Sequence, residues 1–79
     1  MLLPAPFNGA KVRTMRNVIG KKIRTRRQEL NLSQLAVAER AGMSRAHLTR
    51  IEGGNTTPYF DTVERIAKAL KTSPANLLA

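Results

Sequence analysis

Apolar residues recur at helical spacing in several stretches of this chain, and short polar segments separate them. In the first stretch the stripe consists of Ile19, Ile23 and Leu30. This stripe predicts a helix from about Asn17 to Leu30. Asn17 is a suitable N-cap for it. Asn31 tolerates the left-handed conformation and is a suitable residue for leaving the helix.

The second stretch predicts a short helix from Gln34 to about Ala41. Its inward face consists of Val37, Ala38 and Ala41. Ser33 is a natural N-cap, because its hydroxyl accepts one of the unpaired N–H groups of the first helical turn. Ala38 is small enough for another helix to cross close to it.

A tight turn then leads into a third helix. Gly42 can take a positive φ, which ends a helix within one residue. Ser44 is the expected N-cap of a helix from about Arg45 to Glu52, with Leu48 and Ile51 inward. Two helices with this turn and this periodicity look like the DNA-binding helix-turn-helix motif. A plain helical hairpin would have the same apolar pattern, so the pattern alone leaves that alternative open.

The segment Gly53-Gly54-Asn55-Thr56-Thr57-Pro58 has the composition of a loop. Its glycines would let backbone amides approach a phosphate, although capping of the third helix explains them equally well. A fourth helix is expected from about Tyr59 to Leu70. Its expected inward residues are Phe60, Val63, Ile66, Ala67 and Leu70.

Thr72-Ser73-Pro74 predicts a cap followed by proline in the first turn of a short fifth helix. Leu77 and Leu78 of that helix either close the core or lie in an interface. Residues 1–16 contain two prolines and a glycine and show no sustained period, which predicts a flexible basic arm. We therefore expect an all-α fold, a compact bundle of five short helices in residues 17–79.

The charge adds a functional expectation to this fold. A net charge of +9 and a pI of about 11.5 favour polyanionic partners. Taken singly, each basic residue is best explained as solvated surface. Taken together, the eight that precede Glu29 predict a surface that faces phosphates. They are Lys11, Arg13, Arg16, Lys21, Lys22, Arg24, Arg26 and Arg27.

Several classes of protein are not expected. With 79 residues the chain is one small domain with a modest core. No apolar run approaches the length of a membrane span, and no aromatic residue lies in a basic helix. The basic residues near the start follow the apolar ones, the wrong order for a secretory signal, so we expect a cytoplasmic protein. One histidine, no cysteine and scattered carboxylates predict no enzyme, no metal site and no cofactor.

From about Ile19 to Leu78 the chain resembles the Cro and phage-repressor type of helix-turn-helix protein, the XRE family. The matching segments are IGKKIRTRRQELNLSQ, AERAGMSRAHLTRIEGGNTTP and VERIAKALKTSPANLL. The resemblance implies a lambda-repressor-like bundle of five helices whose third helix enters the major groove. It also implies that the partner is double-stranded DNA and that the protein is a transcriptional regulator, in particular a repressor.

The resemblance implies roles for individual residues. The base-contacting residues would be Arg45, Ala46, Thr49 and Arg50. Arginine matches guanine through two parallel hydrogen bonds, although either arginine could hold a phosphate instead. The phosphate-contacting residues would be Lys22, Arg24, Gln34, Ser44, His47, Asn55 and Thr56. Gln34 also makes physical sense in this role, because a helix N-terminus favours an anion.

Arg27 and Glu52 are implied to form an ion pair that fixes the third helix against the first. Pairing would explain Glu52 on a DNA-facing helix, where phosphates would repel an unpaired carboxylate. Leu35 departs from the family pattern, in which this position is usually polar. A single exposed leucine needs no special explanation, although it could also contact a partner or the backbone sugars.

One recognition helix reads only a few base pairs. We therefore expect a homodimer on an inverted repeat, with half-sites about one DNA turn apart and a dimer surface near Leu77 and Leu78. One alternative is an antitoxin-like protein-interaction module that binds a toxin and its own operator. Another is non-specific nucleic-acid binding, although the scarcity of aromatic residues argues against single strands.

Overall fold

The computed structural model describes residues 15–78, and all regular secondary structure in this range is helical. The helices are α1 Met15–Glu29, α2 Gln34–Ala41, α3 Arg45–Glu52, α4 Phe60–Ala69 and α5 Pro74–Leu78. The all-α fold of five short helices is therefore confirmed. None of these helices combines the length and the apolar character that crossing a membrane requires.

The core lies where the five helices meet. α1 packs on α3 and α5, α2 packs on α3 and α4, and α4 packs on α5. The predicted inward faces of α2 and α3 are buried, as are Ile19 and Ile23 of α1. Four partly buried apolar residues surround this core: Leu30, Leu32, Met43 and Leu78.

The local signals around α2 and α3 have the predicted geometry. Ser33 and Ser44 each accept a hydrogen bond from the backbone N–H three residues later, at 3.0 and 3.1 Å. Gly42 ends α2 with a φ of 69°, and Asn31 takes a φ of 56° after α1. Because each signal acts within a few residues, the bounds of α2 and α3 also agree with the prediction.

The predicted start of α1 is wrong. In the described residues α1 already includes Met15 and Arg16, so Asn17 lies within the helix and is not its N-cap. Methionine and arginine have high helix propensity, which favours extension of the helix through Met15 and Arg16. These two residues therefore belong to α1 and not to the predicted arm. The rest of that arm, residues 1–14, lies outside the described residues.

The expected burial of Phe60 is also wrong, since this residue is 58% exposed. Phe60 is the first residue of α4, and the buried residues of the helix begin at Thr62 and Val63. Cα–Cβ bonds in a helix lean toward its N-terminus, so a first-turn side chain points off the end of the helix. Tyr59, which precedes it, is exposed as well.

α5 closes the bundle, with proline at its first position as predicted. Of the two roles left open for its leucines, Leu77 takes the core role, because it is only 2% exposed. Leu77 is therefore unavailable for the expected dimer surface. Leu78 is partly buried against the core.

Arg26, one of the eight basic residues predicted to face phosphates, forms hydrogen bonds within the protein. Its Nε donates to Leu70 O at 3.0 Å and its Nη2 to Lys71 O at 3.3 Å. These bonds connect α1 to the turn between α4 and α5. Arg26 also lies 3.6 Å from Glu29 on its own helix. Fewer basic side chains of α1 are therefore free of bonds within the protein than the sequence suggests.

Candidate nucleic-acid interface

α3 buries one side and exposes the other. Leu48, Ile51 and Glu52 are buried. The four predicted base-contacting residues are all exposed, namely Arg45, Ala46, Thr49 and Arg50. With 3.6 residues per turn, Ala46 and Arg50 point most directly away from the buried side. One helical surface therefore presents two guanidinium groups, a hydroxyl and a methyl group.

The ion pair between α1 and α3 is present. Arg27 Nε donates to Glu52 Oε2 at 2.8 Å, and Arg27 Nη2 donates to Glu52 Oε1 at 3.0 Å. Two parallel bonds fix the relative orientation of the two side chains. Arg27 Nη1 also donates to Leu32 O at 3.0 Å. The last residue of α3 is thus held by α1, and α1 is held by the turn before α2.

Gln34 belongs to the same network, which was not predicted. Its Nε2 donates to Glu52 Oε1 at 3.1 Å, and its Oε1 accepts from Thr49 Oγ1 at 3.0 Å. A side-chain amide nitrogen has two hydrogens, so Gln34 can bond Glu52 and a phosphate at the same time. Its position at the first residue of α2 suits an anion.

The other predicted phosphate contacts near α3 lie on two sides of this helix. Ser44 accepts the capping bond through its oxygen, which leaves the hydroxyl hydrogen for another acceptor. His47 is exposed on the flank of α3 away from Glu52. Asn55 is exposed and Thr56 half-buried in the loop that follows α3. All four contacts remain predictions.

The loop after α3 uses its backbone amides for the helix cap. The N–H groups of Gly53, Gly54 and Asn55 donate to carbonyls of α3 at 3.0, 3.1 and 3.0 Å. Of the two explanations that the sequence allowed for these glycines, phosphate approach and helix capping, the structure supports capping. A phosphate contact from this loop would therefore not use these three amides.

The two cations predicted on α1 lie in different places. Arg24 lines a groove together with Gln28, Gly53 and Gly54. Lys22 lines a separate cleft between α1 and α5. Arg24 is therefore close to the loop after α3, whereas Lys22 is not. Contact of either residue with DNA stays a prediction.

Gly20 is a positioning residue that was not predicted from the sequence. A Cβ at this position would collide with Ile51 O and would lie 2.8 Å from Glu52 O. The backbones of α1 and α3 are thus in direct contact. A glycine within a helical pattern and next to an inward isoleucine often has a packing reason, and this signal could have identified it.

These features define a helix-turn-helix domain of the DNA-binding type. The domain has five helices, a tight turn between α2 and α3, and an exposed α3 that is fixed at its C-terminal end. A family model described as a helix-turn-helix domain matches residues 18–79, and the chain belongs to this family. The resemblance to repressor-type helix-turn-helix proteins is confirmed.

Relatives agree with this assignment. Control protein C.BamHI of Bacillus amyloliquefaciens is 34% identical over 65 residues, which cover 81% of this chain and 80% of that protein. An uncharacterized HTH-type transcriptional regulator of Mycobacterium tuberculosis is 39% identical over 54 residues, 68% of this chain. This chain spans only 39% of that regulator's length.

Among solved structures, the fold is similar to the P22 c2 repressor protein in complex with a synthetic operator. The two share 33% sequence identity with a TM-score of 0.73, over 77% of this chain and 92% of the repressor chain. P22 is a phage of Salmonella.

Proposed function

We propose that this chain binds double-stranded DNA at specific sequences and acts as a transcriptional regulator of the repressor type. The observation that carries the proposal is the exposed face of α3, where Arg45 and Arg50 lie on a helix fixed at its C-terminal end by Arg27 and Glu52. The similar P22 repressor, whose structure contains a synthetic operator, supports a role in DNA binding.

Affinity and specificity come from different residues. The net charge of +9 gives affinity for any duplex through release of counterions. Arg24 and Gln34 fix the register by holding phosphates, which carry no direct sequence information. Arg45, Ala46, Thr49 and Arg50 read base edges in the major groove.

The functional unit is a homodimer on an inverted repeat, because one α3 reads only a few base pairs. Such a regulator works in the cytoplasm, and its activity is binding without a catalytic step. The relatives favour this function over the antitoxin-like alternative, since their names are those of regulators and control proteins.

In vitro selection from a random duplex pool, at near-physiological salt, tests this function. We expect enrichment of an inverted repeat with half-sites about one DNA turn apart. The double variant Arg45→Ala/Arg50→Ala should keep its fold and lose the enrichment. A matched control, Arg40→Ala/Arg65→Ala, removes two exposed arginines outside α3 and should keep the enrichment. Binding of the native chain without enrichment would contradict the proposal.

A further inference from the structure

Glu52 determines which way the side-chain amide of Gln34 points. Glu52 Oε1 lies 3.1 Å from Gln34 Nε2 and also accepts a hydrogen bond from Arg27 Nη2. A carboxylate held by an arginine only accepts hydrogen bonds, so the amide nitrogen and not the amide oxygen must face it. The amide oxygen of Gln34 therefore faces the hydroxyl of Thr49.

The hydroxyl of Thr49 thus lies between two acceptors. Its Oγ1 is 3.0 Å from Gln34 Oε1 and 2.9 Å from the backbone oxygen of Arg45. A hydroxyl has one hydrogen and two lone pairs. Whichever neighbour takes the hydrogen bond, that hydrogen is directed into the protein. The exposed side of Thr49 then offers lone pairs and no hydrogen.

We propose that Thr49 reads DNA as a hydrogen-bond acceptor, and that Gln34 is a positioning residue that reinforces this role by adding a second acceptor for the hydroxyl hydrogen. This inference rests on the proposed function, because it requires α3 to lie in the major groove. It assigns Gln34 a role in specificity in addition to its predicted phosphate contact. The two roles are compatible, because the second amide hydrogen of Gln34 is not needed for Glu52.

The polarity of Thr49 determines which bases it favours. In the major groove, adenine presents the N6 amino group and cytosine the N4 amino group, both of which are donors. Guanine and thymine present O6 and O4, which are acceptors. Thr49 should therefore favour an amino base, adenine or cytosine, over a keto base at one position of each half-site.

Competition binding tests this preference. The selected duplex is compared with its three single base-pair variants at each position. The protein should bind a duplex with adenine or cytosine on the contacted strand, at one position per half-site, about tenfold more tightly than a duplex with guanine or thymine there. This difference corresponds to one hydrogen bond gained and one contact between two acceptors avoided. Comparing the adenine duplex with the cytosine duplex identifies which amino group is read.

Three variants separate the roles of Thr49 and Gln34. Thr49→Val keeps the shape without the hydroxyl and should abolish the preference at that position alone. Thr49→Ser keeps the hydroxyl and should keep the preference. Gln34→Met removes the amide oxygen, which leaves Arg45 O as the remaining competitor for the hydroxyl hydrogen. Keto bases should then gain relative to amino bases at the same position, but by less than in Thr49→Val.

The controls distinguish this inference from the proposed function. Arg24→Ala should lower affinity for all duplexes equally and leave the base preference unchanged. If Gln34→Met does the same, or if Thr49→Val keeps the native preference, the inference is wrong and the proposed function still stands. If the native chain yields no inverted repeat, both are wrong. Urea unfolding of each variant verifies that folded domains are being compared.

Discussion

The Glu52 carboxylate links α3 to α1, and its removal tests how the recognition helix is held. Glu52→Ala deletes two bonds from Arg27 and one from Gln34. The arginine left behind has a side chain that is only 13% exposed, and it keeps a single bond to Leu32 O. The variant therefore contains a largely buried charge without its partner.

The expected loss is large compared with the stability of so small a domain. Breaking a buried ion pair by removing one partner costs about 3–5 kcal/mol. A net stability of about 0.05–0.15 kcal/mol per residue gives only about 3–10 kcal/mol for residues 15–78. Glu52→Ala should therefore lose a large part of the stability of the domain and weaken DNA binding in parallel.

Urea unfolding followed by circular dichroism measures this loss. The matched control is Glu29→Ala, because Glu29 also pairs with an arginine of α1, at 3.6 Å, but has a side chain that is 59% exposed. That control should lose at most about 0.5 kcal/mol. The double variant Arg27→Met/Glu52→Met removes both charges and should be much closer to the native protein than Glu52→Ala. A loss below about 1 kcal/mol for Glu52→Ala, with DNA binding intact, would refute the reasoning.

Three further substitutions test the packing and the caps by the same unfolding assay. Gly20→Ala places a Cβ against backbone oxygens of α3 and should cost about 1–3 kcal/mol, although alanine has the better helix propensity. Its control, Lys21→Ala, should cost at most about 0.5 kcal/mol. Ser44→Ala removes the cap of α3 and should cost about 1 kcal/mol. Gly42→Ala forces alanine into a φ of 69° and should cost about 1–2 kcal/mol. If any of these three variants keeps native stability, the close approach, the cap or the positive φ that it tests is not needed for the fold.

The helix-turn-helix could be predicted from sequence because its signals are local. Ser33 and Ser44 cap helices that start one residue later, and Gly42 ends α2 by its own conformation. None of these signals depends on how distant elements pack. The start of α1 and the exposure of Phe60 are effects of helix ends. Helix propensity extends α1 beyond its apolar stripe, and a first-turn side chain points off the end of α4, so the apolar period alone predicts neither.

The candidate site was only partly predictable for the same reason. Helical spacing was enough to place Arg45 and Arg50 on an exposed face. The pairing of Arg27 with Glu52 came from the family resemblance and not from any spacing. The bonds of Gln34 depend on side-chain rotamers, and the importance of Gly20 depends on how closely two helices approach, so neither could be derived from the pattern alone.

The central claim is that α3 reads base edges, and competition binding of Arg50→Ala tests it most directly. The selected duplex and its single base-pair variants are titrated with the native chain, with Arg50→Ala and with Arg24→Ala. We expect Arg50→Ala to lose about 1–3 kcal/mol of discrimination at one defined position in each half-site. Arg24→Ala should lower the affinity for all duplexes equally. It should also lower the slope of log affinity against log salt concentration by about 1. A uniform loss for Arg50→Ala, with every base preference unchanged, would contradict the claim.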